Sequence, residues 1–304
     1  MTAVCGGAAK RSLINFVSSE PIHRRNGSSD PVSSPRIDRY DPVASRLASM
    51  RDTLNALAAG EIGVAEAESR LAGYATTAAG RFDAAREHRR GIPEAILAEG
   101  KTPAEVAALT TTAVETTGRA LVTRTNPDDV TAVREAVAEK TTDATVDHDG
   151  RTRTVVVRAA DFDSPSLDAT VAVVAAGTAD AAVAGEAAVV AGEIGATIDR
   201  VDDVGVANLD RIIDQRDRIR EADVVVVAAG REGALPTVVA GLVAAPVIAL
   251  PVSTGYGVGG EGVAALQGAL QSCSVLTTVN VDAGFVAGAQ AGLIARAVDA
   301  ARSD

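Results

Sequence analysis

The chain has 304 residues, of which 47% are hydrophobic and only 2% aromatic, and this length is sufficient for one large domain or two ordinary ones. Its 40 acidic residues outnumber its 29 basic ones, giving a formal net charge of −11. This balance argues against a general nucleic-acid binder and against a polybasic membrane anchor, because both need a surplus of lysine and arginine.

Residues 1–49 differ in composition from the rest of the chain. They contain seven basic and four acidic residues, which leaves a net charge of −14 for residues 50–304. The segment NGSSDPVSSP at 26–35 is rich in turn-forming residues, and the apolar run at 12–17 is too short for a signal peptide. We therefore interpret residues 1–49 as a disordered extension or as a mis-assigned start, with Met50 as the alternative first residue.

Residues 50–165 predict a small α+β domain. Asp149-Gly150 separates two β-prone runs within 142–159, which is a strong hairpin signal. Helical patterns cover 51–59, 62–73, 102–117 and the segment from Pro127 to about Lys140, and an apolar run at 120–124 predicts a strand.

Residues 166–304 alternate short apolar runs with Ala-rich helical segments. This alternation predicts an α/β fold with a doubly wound parallel sheet and helices on both faces, similar to a three-layer flavodoxin-like sandwich. No transmembrane segment is expected, because Pro246 and Pro251 interrupt the longest apolar stretch. The predicted strands are 171–177, 196–201, 223–230, 246–252 and 275–281, and the predicted helices are 180–194, 207–221, 235–243 and 261–272.

Glycine-rich loops follow several of these predicted strands. The carboxyl ends of parallel strands are where open α/β sheets bind ligands, and backbone N–H groups at helix starts can hold an anion. Neither a dinucleotide fingerprint nor a P-loop is present, so the loops predict a nucleotide or phosphate site of another type. The residues assigned to it are Gly177, Thr178, Asp180, Gly230, Gly233, Ala234, Gly255, Tyr256 and Gly257.

Three further side chains are candidates for chemistry. Glu232 and Asp282 lie at strand ends, where a carboxylate can act as a general base, although two exposed acids of a salt-adapted surface would have the same pattern. Cys273 is either a nucleophile or a small hydrophobic residue. The two cysteines, Cys5 and Cys273, are too few for a disulfide framework, so we expect a cytoplasmic protein.

An arginine cluster at 81–90 stands out in this acidic chain. If the segment is helical, Asp83, Arg86 and Arg90 share a face, and Arg89 lies three residues beyond Arg86. Such a cluster can bind a phosphate or carboxylate, and the alternative is a network of salt bridges between domains or subunits.

The chain resembles the LarB family, whose C-terminal sheet domain is shared with carboxyaminoimidazole ribonucleotide mutase (PurE). The C-terminal blocks VAVVAAGTAD, ADVVVVAAGREGALPTVVAGLV, PVSTGYG, LQSCS and VNVDAGF are similar to LarB, as are DAAREHRRGIPEAI, Gly100-Lys101-Thr102 and Thr123-Arg124 in the N-terminal half. PurE itself is disfavoured, because its Ser-Ala-His-Arg loop would fall near Asp203–Asn208, where this chain has no histidine.

The resemblance implies the first step of nickel-pincer nucleotide biosynthesis. In this reaction, CO₂ carboxylates the pyridinium ring of nicotinic acid adenine dinucleotide, and hydrolysis of the phosphoanhydride gives AMP and a pyridinium biscarboxylate mononucleotide. Cys273 would be the nucleophile, Glu232 the preferred base and Asp282 the second candidate base. Arg86 and Arg89, with Asp83 beside them, would bind the adenylate portion.

The resemblance also implies Mg²⁺ and a homo-oligomer, with octamers known among relatives of this sheet. No magnesium ligand set can be identified in the sequence, although Asp83, Glu94 and Asp180 are available carboxylates. CO₂ or bicarbonate would be the co-substrate, and neither nucleic acid nor a membrane is an expected partner. Two alternatives remain open: a purine-pathway aminoimidazole ribonucleotide carboxylase or mutase, and a non-catalytic nucleotide-binding protein.

Overall fold

The computed structural model describes residues 42–303 except 65–66, 68–70, 72 and 142, with side chains described from Met50 onward. The predicted extension or alternative start at 1–49 lies mostly outside these residues. Helix α1 (Pro42–Ala59) contains the predicted helix at 51–59 and begins before Met50. The predicted helix at 62–73 falls partly outside the described residues.

The C-terminal half forms a five-stranded, all-parallel sheet. Its strands are β7 (Thr170–Ala175), β8 (Thr197–Val201), β9 (Val224–Ala229), β10 (Val247–Pro251) and β11 (Thr277–Thr278), in the order β11-β10-β9-β7-β8. Every hydrogen-bonded pair of these strands is parallel. The predicted parallel α/β sheet is therefore confirmed.

Helices cover both faces of this sheet. Helices α5 (Ala181–Glu193) and α10 (Gly284–Ser303) pack on one face, and α6 (Asp210–Asp214), α7 (Arg216–Arg220) and α8 (Ala234–Ala240) pack on the other. Side chains of β7 alternate between the two cores, as the period of a strand requires: Val171 and Val173 contact the first layer, and Ala172 contacts the second. Burial on both faces explains the nearly continuous apolar runs of the strands.

The structure departs from the predicted C-terminal elements in three places. The predicted helix at 207–221 is two short helices, α6 and α7, that meet at Gln215. Strand β11 has only two residues instead of the predicted seven at 275–281. The longest helix of this half, α10, was not predicted. Helix α9 (Val263–Leu270) lies within the predicted segment 261–272.

A smaller, separate sheet lies in the N-terminal half. Its order is β3-β4-β6-β5, with β3 (Ala95–Leu97) parallel to β4 (Arg119–Thr123), and with β6 (Thr154–Arg158) antiparallel to both β4 and β5 (Thr145–Asp149). Strands β5 and β6 form the predicted hairpin. This small sheet confirms the predicted fold class, and the domain boundary at residue 165 stays a prediction.

Two well-capped helices cover one face of the small sheet. Helix α3 (Pro103–Thr117) begins after Thr102, whose hydroxyl accepts a hydrogen bond from the N–H of Glu105. Helix α4 (Pro127–Lys140) begins in the same way after Asn126. Each helix has proline at its first position, and the structure confirms the helix starts predicted from the sequence. A two-stranded hairpin, β1 (Ala75–Thr77) and β2 (Gly80–Phe82), precedes helix α2 (Arg86–Arg90).

Helices α5 and α10 are covered on both sides. Leu121 and Val156 of the small sheet pack against Val190 and Ile194 of this helix layer. Close packing of α5 on α10 needs small residues: a Cβ on Gly288 would lie 2.3 Å from the carbonyl oxygen of Ala187. The Ala-rich composition of both helices therefore serves packing within the chain. No helix in the described part of the chain is long and apolar enough to cross a membrane.

Candidate functional site

A cavity of about 550 Å³ lies at the carboxyl edge of the five-stranded sheet. It is next to the position between β7 and β9 where the strand order reverses, which is the usual ligand site of open α/β sheets. Loops that follow β7, β8, β9 and β10 form its walls. The residues that line it are Ala176, Gly177, Ala179, Asp180, Gly205, Val206, Ala207, Ala229, Gly230, Arg231, Glu232, Ala234, Leu235, Thr254, Gly255 and Tyr256.

Glycine at 230 allows two of these loops to approach closely. A Cβ on Gly230 would lie 2.1 Å from the carbonyl oxygen of Thr254, a distance that no side chain tolerates. The same carbonyl accepts a hydrogen bond from the N–H of Arg231 at 3.2 Å. A backbone hydrogen bond therefore joins the loops after β9 and β10 at the cavity.

Asp180 is the most buried acidic side chain of the cavity, with 5% of its surface exposed. Its Oδ2 accepts a hydrogen bond from the N–H of Gly177 at 2.9 Å, and its Oδ1 accepts one from the hydroxyl of Thr254 at 2.7 Å. Burial raises the pKa of Asp180 above its ordinary value, and the two hydrogen bonds oppose that shift. A carboxyl group of this kind holds its proton to higher pH than an exposed aspartate does.

Glu232, Arg231 and Tyr256 form the exposed wall of the cavity. The guanidinium carbon of Arg231 lies 4.1 Å from the centre of the Tyr256 ring, a cation–π contact that orients both side chains. Sequence reasoning selected Glu232 and Tyr256 but missed Arg231 and Thr254. The signal for Arg231 was its place beside Glu232 in a loop that follows a strand.

The structure brings seven of the predicted site residues to this one cavity. Glu232 lines it together with the loop residues Gly177, Asp180, Gly230, Ala234, Gly255 and Tyr256. Thr178, Gly233 and Gly257 belong to the same loops but do not line the cavity. Gly233 instead starts helix α8 in a left-handed conformation with φ of 64°.

Asp282 lies beside the cavity and not in its lining. Its Oδ1 accepts a hydrogen bond from the N–H of Ser253 at 2.9 Å, and its own N–H donates to the carbonyl of Pro251 at 2.9 Å. Its backbone is left-handed, with φ of 55°. These two hydrogen bonds of Asp282 therefore stabilise the loop after β10, which contains the cavity residue Thr254.

Arg124 connects the small sheet to this loop, a contact that the sequence did not reveal. Its Nη2 donates to the carbonyl of Asp282 at 2.7 Å, and its Nε donates to the buried Glu186 at 3.3 Å. Arg124 also has a left-handed backbone, with φ of 59°. Three separate segments thus converge behind the cavity wall.

Cys273 lies away from the cavity lining, after the end of helix α9, and it is exposed. The neighbouring hydroxyls anchor its turn to α8: Ser272 and Thr237 share a hydrogen bond of 3.0 Å between their side-chain oxygens, and Ser274 donates to the carbonyl of Thr237. The exposed position contradicts the interpretation of Cys273 as a packed hydrophobic residue.

The arginine cluster takes part in local salt bridges. Arg89 Nη2 lies 2.7 Å from an Asp83 carboxylate oxygen, and Arg86 Nη1 lies 2.5 Å from Glu94 Oε2. Helix α2 spans only Arg86–Arg90, so Asp83 lies before it. The prediction that Asp83 shares a helical face with Arg86 and Arg90 is therefore wrong. None of these side chains lines the cavity, and their role with the adenylate stays a prediction.

In the part of the chain that the structure describes, no three carboxylate, histidine or cysteine side chains are placed so that they could hold a metal ion. Two of the three carboxylates considered from the sequence, Asp83 and Glu94, are paired with arginines. Asp180 is the third and is the only one of these three that lines the cavity. These residues do not fit a dedicated magnesium cage.

Comparison with known proteins identifies the family. Residues 74–159, which include the small sheet, match the LarB/PurE-like N-terminal domain. An uncharacterized protein of Methanocaldococcus jannaschii is 33% identical over 256 residues, which cover 81% of this chain and 97% of that protein. The chain belongs to the LarB family.

LarB-family membership and the cavity agree with each other. The parallel sheet beyond residue 159 is consistent with the predicted PurE-like fold, and the matched domain indicates a carboxylase-type enzyme of the LarB/PurE group. The cavity at the switch point of this sheet brings the acidic side chains Asp180 and Glu232 together with the basic side chain of Arg231.

Proposed function

We propose that this chain carboxylates the pyridinium ring of nicotinic acid adenine dinucleotide with CO₂ and hydrolyses the phosphoanhydride. The products would be AMP and a pyridinium biscarboxylate mononucleotide, the first intermediate of nickel-pincer nucleotide biosynthesis. The observation that carries the proposal is the placement, in a LarB-family chain, of Glu232 and Asp180 in one cavity of sufficient size for a nucleotide.

The cavity offers separate surfaces for the two ends of a pyridine mononucleotide. The positive end of the α5 helix dipole and the cation of Arg231 favour the phosphate. The ring of Tyr256 is largely exposed above Arg231 and offers an aromatic face. In this proposal, the predicted glycine-rich loops bind the ribose phosphate, as expected from the sequence.

The chemistry requires a nucleophile because a pyridinium ring is electron-poor and does not attack CO₂. Addition of the Cys273 thiolate at the carbon para to nitrogen moves an electron pair into the ring, and the neighbouring carbon becomes nucleophilic. That carbon attacks CO₂ and forms the new C–C bond. Glu232 then accepts the ring proton, and the departing thiolate restores aromaticity. Asp282 is the second candidate for the base.

Magnesium has a limited place in this proposal. The described residues supply no cage for it, so the Mg²⁺ expected from the resemblance would accompany the diphosphate of the substrate, as this ion commonly does. Of Asp83, Glu94 and Asp180, only Asp180 lines the cavity, and it has no arginine partner among the described residues.

The purine-pathway alternative has weaker support. The loop where its histidine would stand forms part of the cavity wall as Gly205, Val206 and Ala207, and none of these side chains transfers protons. The third alternative, a non-catalytic nucleotide-binding protein, needs the cavity alone and leaves Cys273 without a role.

One incubation separates the three functions. The full chain is mixed with nicotinic acid adenine dinucleotide, bicarbonate and Mg²⁺, and the products are analysed by mass spectrometry. We expect AMP and a second product that is heavier than nicotinic acid mononucleotide by one carboxylate. A parallel incubation with aminoimidazole ribonucleotide serves as the control. Turnover of that control alone would support the purine enzyme, and turnover of neither would support the binding protein.

A further inference from the structure

A second cavity, of about 410 Å³, lies in the small sheet domain, and the proposed reaction does not use it. The loop between β4 and α4 and the β5–β6 hairpin form its walls. Arg134 of α4, His148 of β5 and Arg153 of the hairpin line it, and no acidic residue does. Three basic side chains around one cavity are unexpected in a chain with a net charge of −11.

Two of these basic side chains have no partner among the residues that the structure describes. The side chains of Arg134 and His148 make neither a hydrogen bond nor an ion pair there. Both are exposed, so each can turn toward a ligand. Arg153, in contrast, is fixed: its Nε donates to the carbonyl of Thr125 at 3.1 Å, and its Nη2 donates to the carbonyl of Arg124 at 3.0 Å. The third guanidinium nitrogen of Arg153 remains available.

Thr125 supplies an independent indication of a ligand. It lines the cavity, only 3% of its surface is exposed, and its hydroxyl has no hydrogen-bond partner within the described structure. Buried hydroxyls without partners are costly, so such a group is normally satisfied by protein, water or ligand. A lining residue of the cavity therefore has a hydroxyl group that no group in the described part of the chain uses.

The nearest carboxylates do not neutralise the cavity. Asp149 is turned into the hairpin, where its Oδ1 accepts hydrogen bonds from the N–H groups of Arg151 and Thr152. Asp129 is a buried residue of the first turn of α4, and its carboxylate accepts a hydrogen bond from the N–H of Asn126. Neither side chain lines the cavity.

We propose that this cavity is a binding site for a phosphomonoester, held by Arg134, His148 and Arg153 and by the hydroxyl of Thr125. Arginine forms bidentate, charge-assisted hydrogen bonds with phosphate, and the volume is sufficient for a mononucleotide. The site is separate from the cavity proposed for the reaction, with which it shares no lining residue.

Its position gives the bound ligand a direct connection to the loop of Asp282. The side chain of Arg153 donates a hydrogen bond to the backbone carbonyl of Arg124. The side chain of Arg124 in turn donates one to the backbone carbonyl of Asp282. A ligand that orders Arg153 therefore also orders the segment from which Arg124 extends.

The test is titration of the full chain with inorganic phosphate and, separately, with AMP, followed by calorimetry. The decisive variant is Arg134→Gln, because this side chain has no structural partner whose loss would disturb the fold. Arg151→Gln is the matched control, an exposed arginine of the same hairpin that lies outside the cavity. Histidine resonances report the location, since the chain has only three histidines and the His148→Gln variant identifies the relevant signal.

We expect saturable binding, a shift of the His148 resonance on titration, and affinity about tenfold or more weaker in Arg134→Gln, the effect of losing one charge-assisted contact. Arg151→Gln should bind as the wild type does. Binding of AMP but not of phosphate would identify a nucleotide as the source of the phosphate group. Absence of binding, unchanged affinity in Arg134→Gln, or equal loss in Arg151→Gln would overturn the proposal.

Discussion

At the scale of single residues, Asp180 combines burial with a place in the candidate active site. Its carboxylate accepts hydrogen bonds from Gly177 and Thr254, yet burial dominates and raises its pKa. Groups with perturbed pKa values are concentrated at functional sites, although ion-pair networks perturb them too. The carboxyl group of Asp180 can therefore hold its proton to higher pH than an exposed aspartate at a position that lines the cavity.

The raised pKa of Asp180 predicts a definite pH dependence of stability. Because the folded pKa exceeds the unfolded value of 3.8, the protonated form favours folding below that value, and this contribution is lost as the pH rises through the folded pKa. Asp180→Asn, which mimics the neutral acid, should not show this loss. We therefore expect urea unfolding to show that, as the pH rises, the unfolding free energy of the wild type falls relative to that of Asp180→Asn.

Thr254→Val provides the control for that measurement. It removes one of the two hydrogen bonds that oppose the shift and leaves the carboxyl group in place, so the pH-dependent loss should grow. A difference between Asp180→Asn and the wild type that is constant across the pH range would contradict the assignment of a raised pKa.

At the scale of elements, the contact between α5 and α10 is the tightest helix packing in the molecule's larger half. Gly284, Gly288 and Gly292 of α10 recur every four residues, and each lies against α5 or the residue that follows it. This spacing lets two helix backbones approach closely, while Leu121 and Val156 cover the layer from the other side.

Gly288→Ala should destabilise the fold by about 1–3 kcal/mol, the usual effect of inserting a methyl group into a filled core. The new Cβ would lie 2.3 Å from a backbone oxygen, which cannot rotate away. Gln290→Ala, on the exposed side of the same helix, is the matched control and should change the unfolding free energy by less than about 0.5 kcal/mol. Chemical denaturation measures both, and equal effects would exclude the packing argument.

The elements also show what the sequence could predict. Starts of α3 and α4 were predictable because Thr102-Pro103 and Asn126-Pro127 are local capping signals. Helix α10 was missed because its glycines weaken a helical pattern, and only the tertiary contact with α5 explains them.

The candidate site shows the same division between local and tertiary signals. The sequence was sufficient to place the glycine-rich loops at the carboxyl edge of the sheet, because the alternation of strands and helices shows which loops follow a strand. The contact between Arg124 and Asp282 joins residues 158 positions apart, and no local pattern indicates such a pair. The exposure of Cys273 was likewise not readable from the polar residues around it.

At the scale of the whole molecule, the groups proposed as nucleophile and as base lie on different parts of one chain. Glu232 lines the cavity and Cys273 does not. The turn that contains Cys273 has large exposed apolar neighbours, with Leu270 66% and Val275 96% exposed. Exposed apolar side chains of this size are typical of surfaces that contact another protein. We propose that they contact a second copy in the homo-oligomer that the resemblance implies.

Shared sites in such an assembly predict complementation. Cys273→Ala and Glu232→Gln chains should each be inactive alone, and co-expression should restore part of the activity, because some sites then receive an intact thiol from one copy and an intact carboxylate from another. Product formation by the purified mixed assembly is the measurement. A mixture as inactive as its components would place both groups in the same chain's site.

The most direct test of the central claim is the transfer of labelled carbon from bicarbonate to the pyridinium ring. Wild-type protein, given nicotinic acid adenine dinucleotide and isotopically labelled bicarbonate, should form a mononucleotide that contains the label, and Cys273→Ala, with an unchanged circular dichroism spectrum, should form none. Unlabelled product, or full labelling by Cys273→Ala, would contradict carboxylation through a thiolate adduct.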